Sequence, residues 1–92
     1  MNNPLIVSQA GALARQVLAT PGKDDVEKVR NVFRRVLRRD PTLEEISHST
    51  LYLKNVDLLL SPRNPDGNSR QEKTWSSLCH ALMASNEFRY ID

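Results

Sequence analysis

The spacing of apolar residues predicts four amphipathic α-helices joined by short turns. The clearest stripe lies near the end of the chain, where apolar residues recur at i, i+3, i+4, i+7 and i+8: Trp75, Leu78, Cys79, Leu82 and Met83. This segment holds the only tryptophan and the only cysteine, so we expect the other helices to pack against it. No strand-like alternation and no internal repeat is found in the sequence.

Each predicted helix begins at a capping signal. An oxygen-bearing side chain followed three residues later by glutamate is typical of a capping box, and asparagine before proline is also a start signal. The signals are Asn3-Pro4, Asp24 with Glu27, Thr42 with Glu45, and Ser69 with Glu72. The predicted helices span about 4–19, 24–39, 43–60 and 70–85. We expect Pro41 to end the second helix and Asn86 to close the fourth in the left-handed conformation.

The first two predicted helices each carry a single apolar stripe. The stripes are Ile6, Ala10, Leu13, Ala14, Val17 and Leu18 in the first helix, and Val29, Val32, Phe33, Val36 and Leu37 in the second. Gly11 either weakens the first helix or permits a close helix crossing. Arg38 and Arg39 are predicted in the last turn of the second helix, where cations complement the helix dipole.

The third predicted helix is apolar on two sides. One face is formed by Ile46, Ser49, Leu53, Val56 and Leu60, flanked by Tyr52 and Leu59, and nearly opposite lie Leu43, Leu51 and Leu58. A helix of this kind is either covered on both sides or presents one face to a partner. We therefore predict either burial under the first helix or an interface with another chain or domain, which Phe88 and Tyr90 would extend.

These elements predict an all-α fold: one compact four-helix domain over residues 1–92, with non-parallel crossings. The apolar tail Phe88, Tyr90 and Ile91 is expected to pack back on the core. The 92 residues carry 13 basic and 11 acidic side chains, a net charge of +2 that does not favour an obligate nucleic-acid or membrane-surface binder. A single cysteine excludes an internal disulfide. If complete as given the chain is expected in the cytoplasm, because its start lacks the basic and long apolar regions of a signal peptide.

The strongest polar feature is the basic side of the second helix. It comprises Lys28, Arg34, Arg35, Arg38 and Arg39, together with Arg30 and the preceding Lys23. Such a strip can contact phosphates, but no aromatic residues lie between the arginines to stack bases, and acidic residues are close by. A solvated, partly salt-bridged face is the favoured interpretation, and weak nucleic-acid binding is an alternative.

The few residues with reactive or metal-binding side chains do not form a motif. Cys79 and His80 are adjacent on a helix and point about 100° apart. His48 completes the nitrogen and sulfur candidates, without the spacing of a metal site. His80 and Met83 are possible haem ligands, but covalent attachment needs Cys-x-x-Cys-His, which is absent. We predict no catalytic, metal or cofactor residues, with Cys79, His80 and Met83 packed among leucine and valine.

Three motifs carry a family resemblance. They are Met1-Asn-Asn-Pro-Leu-Ile-Val with Gln9-Ala10, the run from Val36 to Glu45 around Pro41-Thr42, and a terminal pattern of Trp75, Leu78, Ala81, Leu82, Asn86-Glu87-Phe88, Tyr90 and Asp92. Together they resemble the C-terminal domain of unknown function of large planctomycete proteins that carry a cytochrome-c-like domain far upstream. Arg38 stands where that family usually has glycine, which would affect the exit from the second helix.

The resemblance implies the kind of protein in which such a domain occurs, but it implies no chemical reaction. It suggests a detached C-terminal part of a longer exported protein, and it supplies no catalytic residue for this chain. The leading hypothesis is a non-enzymatic structural or interaction module that contacts a protein partner or other domains. A haem-associated or electron-transfer-related binding module is the alternative suggested by the cytochrome context.

Overall fold

The computed structural model describes residues 3–22 and 24–85, which form four α-helices. These are α1 (Pro4–Ala19), α2 (Asp25–Leu37), α3 (Leu43–Leu60) and α4 (Gly67–Met83). The predicted all-α class is confirmed, and the described residues contain no strand. The Cα radius of gyration is 12.7 Å, close to the value of about 12 Å expected for a compact chain of this length. The predicted apolar tail, Phe88 to Ile91, lies outside the described residues.

Helix α4 is the centre of the fold, as its apolar stripe predicts. Helices α1, α2 and α3 all pack against α4, whereas the described parts of α1 and α3 do not touch each other. The buried apolar residues form one cluster: Ala10, Leu13, Ala14, Val17, Val29, Val32, Phe33, Val36, Leu37, Leu53, Trp75, Leu78, Cys79 and Met83. Because the described parts of α1 and α3 make no contact, α1 does not cover α3.

Small side chains lie where α1 packs against α4. Ala10 and Ala14 are completely buried there. A Cβ atom added at Gly11 would lie 3.4 Å from the Arg15 guanidinium and 4.0 Å from Ser76 Oγ, which is ordinary van der Waals contact. The close packing of α1 and α4 therefore does not require a glycine at position 11.

Three helix starts follow the predicted capping signals and the fourth does not. Asn3 Oδ1 and Asp24 Oδ1 accept backbone hydrogen bonds in α1 and α2. At α3, the Glu45 N–H donates to Thr42 Oγ1 and the Thr42 N–H donates to the Glu45 carboxylate, which completes a capping box. The predicted cap at Ser69 is wrong, because α4 starts one turn earlier with Asp66 as its N-cap.

The end of α2 also differs from the prediction. The helix ends at Leu37, because Arg38 adopts the left-handed conformation with φ 60° and ψ 33°. Arg38 and Arg39 therefore lie beyond the helix and not in its last turn. Arg34 and Arg35 occupy that turn and complement the dipole instead. Pro41 is too far along the chain to be the residue that ends α2.

Candidate interaction surfaces

Five of the seven large apolar side chains that are exposed in the described chain lie on α3. Leu43, Leu51, Leu58 and Leu59 have 81%, 56%, 61% and 79% of their surface exposed. We call these four residues the outer leucine face. The predicted burial of Leu43, Leu51 and Leu58 under α1 is wrong, because α1 packs on α4 and does not reach α3. Leu59, which we predicted beside the buried face, is also exposed.

The buried side of α3 explains why these leucines point outward. Leu53 and Ser49 are the buried residues of this helix, and Ile46 packs against the core next to them. Each residue turns the helix by about 100°, so Leu51 points about 200° away from Leu53. Tyr52 lies at the edge of the exposed side, where its hydroxyl is 2.5 Å from Ser77 Oγ of α4.

The polar residues on the outer side of α3 include one acid and one base. Glu44 lies beside Leu43 at the start of the helix, and Lys54 lies between Leu51 and Leu58. Both are exposed, and neither forms an ion pair within the described residues. Two opposite charges therefore flank the outer leucine face without partners of their own in this part of the chain.

The predicted basic residues come together only in part. Arg34, Arg35, Arg38 and Arg39 line one open groove with Asp40, and Lys28 does not line it. Several of these cations are engaged within the chain. Arg34 pairs with Asp40, and Arg35 donates a hydrogen bond to Gln16 Oε1 at 2.8 Å. This pairing agrees with the partly salt-bridged face that the sequence favours.

Arg39 makes the best-defined ion pair in the described chain. Its two terminal nitrogens donate to the Glu45 carboxylate at 2.8 and 2.7 Å, and its guanidinium lies 5.8 Å from the centre of the Phe33 ring. The hydrogen bond from Arg39 lowers the pKa of Glu45 from 4.5 to about 2. Because Glu45 also belongs to the capping box, this one carboxylate links the exit of α2 to the start of α3.

Of the three residues considered as reactive groups or haem ligands, two lie in the core. Cys79 is completely buried, and burial raises the pKa of its thiol from 9.0 to about 12. The thiolate that nucleophilic chemistry requires is therefore not formed near neutral pH. Met83 is also buried in the core cluster. His48 is exposed on α3, and the described residues contain no group of three metal-binding side chains.

His80 is not packed among leucine and valine, which corrects that prediction. It lines an open groove of about 650 Å³ between α1 and α4, together with Arg15, Glu72, Ser76 and Ser77 among others. The His80 Nε2 atom is buried there and has no hydrogen-bond partner among the described residues. Within the described chain no hydrogen bond joins His80 to either serine, so the groove lacks the nucleophile and base contact of a hydrolytic site.

The comparisons with known proteins add no relative. No family model matches the chain, and neither a curated protein nor a solved structure matches it. The resemblance to the planctomycete domain therefore stays a prediction that rests on its motif residues. Among the described helices, none has both the length and the apolar character needed to cross a membrane.

Proposed function

We propose that this chain is a non-enzymatic interaction module that binds another polypeptide through the outer leucine face of α3. The observation that supports the proposal is the exposure of four leucines on one helix, each more than half exposed. Exposed apolar side chains that cluster on the surface of a folded domain typically mark a binding surface. The core cluster of the described residues does not include these side chains, and α3 is anchored to it through Leu53 and Ile46.

The composition of this surface fits the anatomy of a protein interface. Burying one leucine completely contributes about 1.5–3 kcal/mol, so four largely exposed leucines can supply an apolar interface centre. Glu44, Lys54 and Asn55 lie around them and provide the polar rim that gives an interface its specificity. Position and chemistry therefore both favour a polypeptide as the ligand.

The other candidate functions have less support. The arginines at the end of α2 are largely engaged with acceptors of the chain itself, which weakens the case for nucleic-acid binding. A haem-associated role would need His80 and Met83 on one site. Met83 belongs to the buried core, while His80 lines a groove with many polar residues.

The proposal is tested by placing a photo-crosslinking amino acid at Leu58 in the chain expressed in its source cells. Leu5 on α1 is a matched control, because it is 62% exposed and Leu58 is 61% exposed. We expect a discrete cross-linked band from position 58 and none from position 5. Equal cross-linking from both positions, or none from position 58, would contradict the proposal. The mass of the band identifies the partner as a second copy or another protein.

A further inference from the structure

We infer that the pocket between α3 and α4 is a binding site for a small monocarboxylate. The pocket has a volume of about 550 Å³, and Lys54 of α3 and Arg70, Thr74 and Trp75 of α4 are among the residues that line it. We call it the α3–α4 pocket. The four residues of the outer leucine face do not line it, so the inference is independent of the proposed function.

Thr74 is the first residue that points to a ligand. It is only 4% exposed, and its hydroxyl has no hydrogen-bond partner among the described residues. A helical threonine can satisfy its hydroxyl at a backbone carbonyl three or four residues earlier, and Thr50 does so at Ser47 with a distance of 3.1 Å. A buried hydroxyl without a partner destabilises the fold. Rotation about the Cα–Cβ bond exchanges the hydroxyl and methyl positions of Thr74, so the hydroxyl can turn towards a ligand in the pocket.

Trp75, the next residue of α4, has a second donor without an acceptor. Its side chain is 2% exposed and lines the same pocket. A buried indole N–H usually finds a hydrogen-bond partner, but within the described residues Trp75 Nε1 makes no hydrogen bond. Because an indole N–H can only donate, the group that satisfies it must be an acceptor, such as a carboxylate oxygen.

Two cations add further donors to the α3–α4 pocket. Lys54 forms no ion pair within the described residues. Arg70 is held by Asp57 Oδ1 and by the backbone carbonyl of Asn64, each at 2.8 Å. These bonds use Nε and one terminal nitrogen, so the other terminal nitrogen of Arg70 has no hydrogen bond in the described chain. A guanidinium fixed in this way loses little further freedom when it binds a ligand.

The balance of charge limits the class of ligand. Lys54 and Arg70 share the pocket lining with Asp25 and Asp57, and Asp57 is already paired with Arg70. A phosphate or another multiply charged anion would be repelled by the two acids. A single carboxylate needs only one unpaired cation, which Lys54 supplies, and the two buried donors can bond its oxygens. The lining therefore favours a monocarboxylate.

The test follows the indole N–H of Trp75, which gives one peak in a proton–nitrogen correlation spectrum because it is the sole tryptophan. Sodium acetate is the probe. The peak should move downfield and saturate, with a dissociation constant on the order of 1–10 mM for so small a ligand. Acetamide, which has a similar shape and no charge, should leave the peak in place, and so should sodium chloride at the same ionic strength.

Two threonine variants of the same pocket form a matched pair. Thr74→Val keeps the shape of the side chain and removes the hydroxyl, so it should weaken acetate binding about fivefold. Thr50→Val should change it by less than about twofold, because the Thr50 hydroxyl already has a partner in Ser47 O. Thr74→Val removes an unsatisfied buried group and should not lower the thermal midpoint, so weaker binding would not reflect unfolding. Lys54→Gln should weaken binding about tenfold or more.

Three results overturn the inference. The absence of a saturable shift with acetate means that the α3–α4 pocket holds only water. An equal shift with acetamide or sodium chloride means that the pocket does not recognise a carboxylate. Equal acetate affinities of the parent chain and Thr74→Val exclude the buried hydroxyl from the site. The outer leucine face is unaffected by any of these results, because the cross-link from Leu58 tests it separately.

Discussion

Helices α2 and α3 follow each other in the chain and use their apolar residues in opposite ways. In α2, Val29, Val32, Phe33, Val36 and Leu37 are all buried. In α3, Leu53 is the only large apolar residue that is buried, while the four residues of the outer leucine face are exposed. This contrast distinguishes the apolar residues that the fold requires from those that it does not. The apolar content of α2 is explained by folding alone, whereas that of α3 exceeds what folding uses.

The cause of the difference is the position of each helix against α4. The apolar residues of α2 share one stripe, so a single contact surface buries them together. Helix α3 carries leucines on opposite sides, and within the described chain its neighbours are α2 and α4. Among the described residues, Leu51 and its neighbours on the outer side therefore have no further helix to pack against.

Truncating a buried side chain of α2 should lower the stability of the protein much more than truncating an exposed side chain of α3. Phe33→Ala in α2 should lower the free energy of unfolding by about 3–5 kcal/mol, because it removes a buried ring and leaves a cavity. Leu58→Ala in α3 should change it by less than about 0.5 kcal/mol, because the side chain is exposed. Urea denaturation measures both.

If Phe33→Ala does not fold, Phe33→Leu provides a milder test of the same core position. A loss above about 1 kcal/mol for Leu58→Ala would mean that the outer leucine face belongs to the folding core. The distinction between α2 and α3 would then be wrong.

The second prediction concerns the ion pair between Arg39 and Glu45, which links the end of α2 to the start of α3. The pKa of Glu45 is lowered from 4.5 to about 2 by Arg39, so its charged form favours the folded state. The stabilisation is fully present above about pH 5 and is lost as the pH falls from 4.5 towards 2. Glu45→Gln should cost about 1–1.5 kcal/mol at pH 7, since the ion pair is partly exposed to solvent.

Urea denaturation between pH 2 and 7 checks this linkage. The difference in stability between the parent chain and Glu45→Gln should shrink as the pH falls, and Glu44→Gln serves as the control because Glu44 has no ion pair among the described residues. A constant difference at every pH would exclude Glu45 as a charged link between α2 and α3.

The smallest expected effect is at the left-handed residue that ends α2. Arg38 has φ 60°, a conformation that costs a side-chain-bearing residue about 1–2 kcal/mol and that glycine adopts readily. Arg38→Gly should therefore stabilise the chain by about 0.5–1 kcal/mol, after allowing for the greater freedom of glycine when unfolded. Arg35→Gly, inside the helix, should destabilise it by about 1 kcal/mol. Thermal unfolding of both variants measures the contrast, and a stabilised Arg35→Gly or a destabilised Arg38→Gly would contradict this explanation.

The sequence predicts the start of a helix correctly where only one local signal is present. Asn3-Pro4 and the capping box of Thr42 and Glu45 place the starts of α1 and α3 correctly. The start of α4 was ambiguous, because Asp66 lies within an Asp-Gly pair that normally indicates a turn. Here Asp66 caps the helix and Gly67 begins it. The turn signal and the N-cap signal share the same residue, so the sequence alone does not show which of the two Asp66 forms.

The other incorrect predictions, on the end of α2 and the burial of the α3 leucines, concern features that tertiary structure determines. An arginine in the left-handed region is rare, so residue propensity does not predict that α2 ends at Leu37 instead of near Pro41. Whether Leu51 is buried depends on where α1 packs, which periodicity cannot show. One signal for Leu59 was present in the sequence, because it lies eight residues from Leu51 and therefore on the same i+4 ridge.

The buried position of Cys79 has a practical consequence. Its thiol is enclosed by the core and is protonated at neutral pH, so an alkylating reagent can reach it only when the packing of α4 opens. As the sole sulfhydryl of the chain, it is a built-in reporter: the rate at which an alkylating reagent modifies it measures how often the molecule opens, without an engineered cysteine.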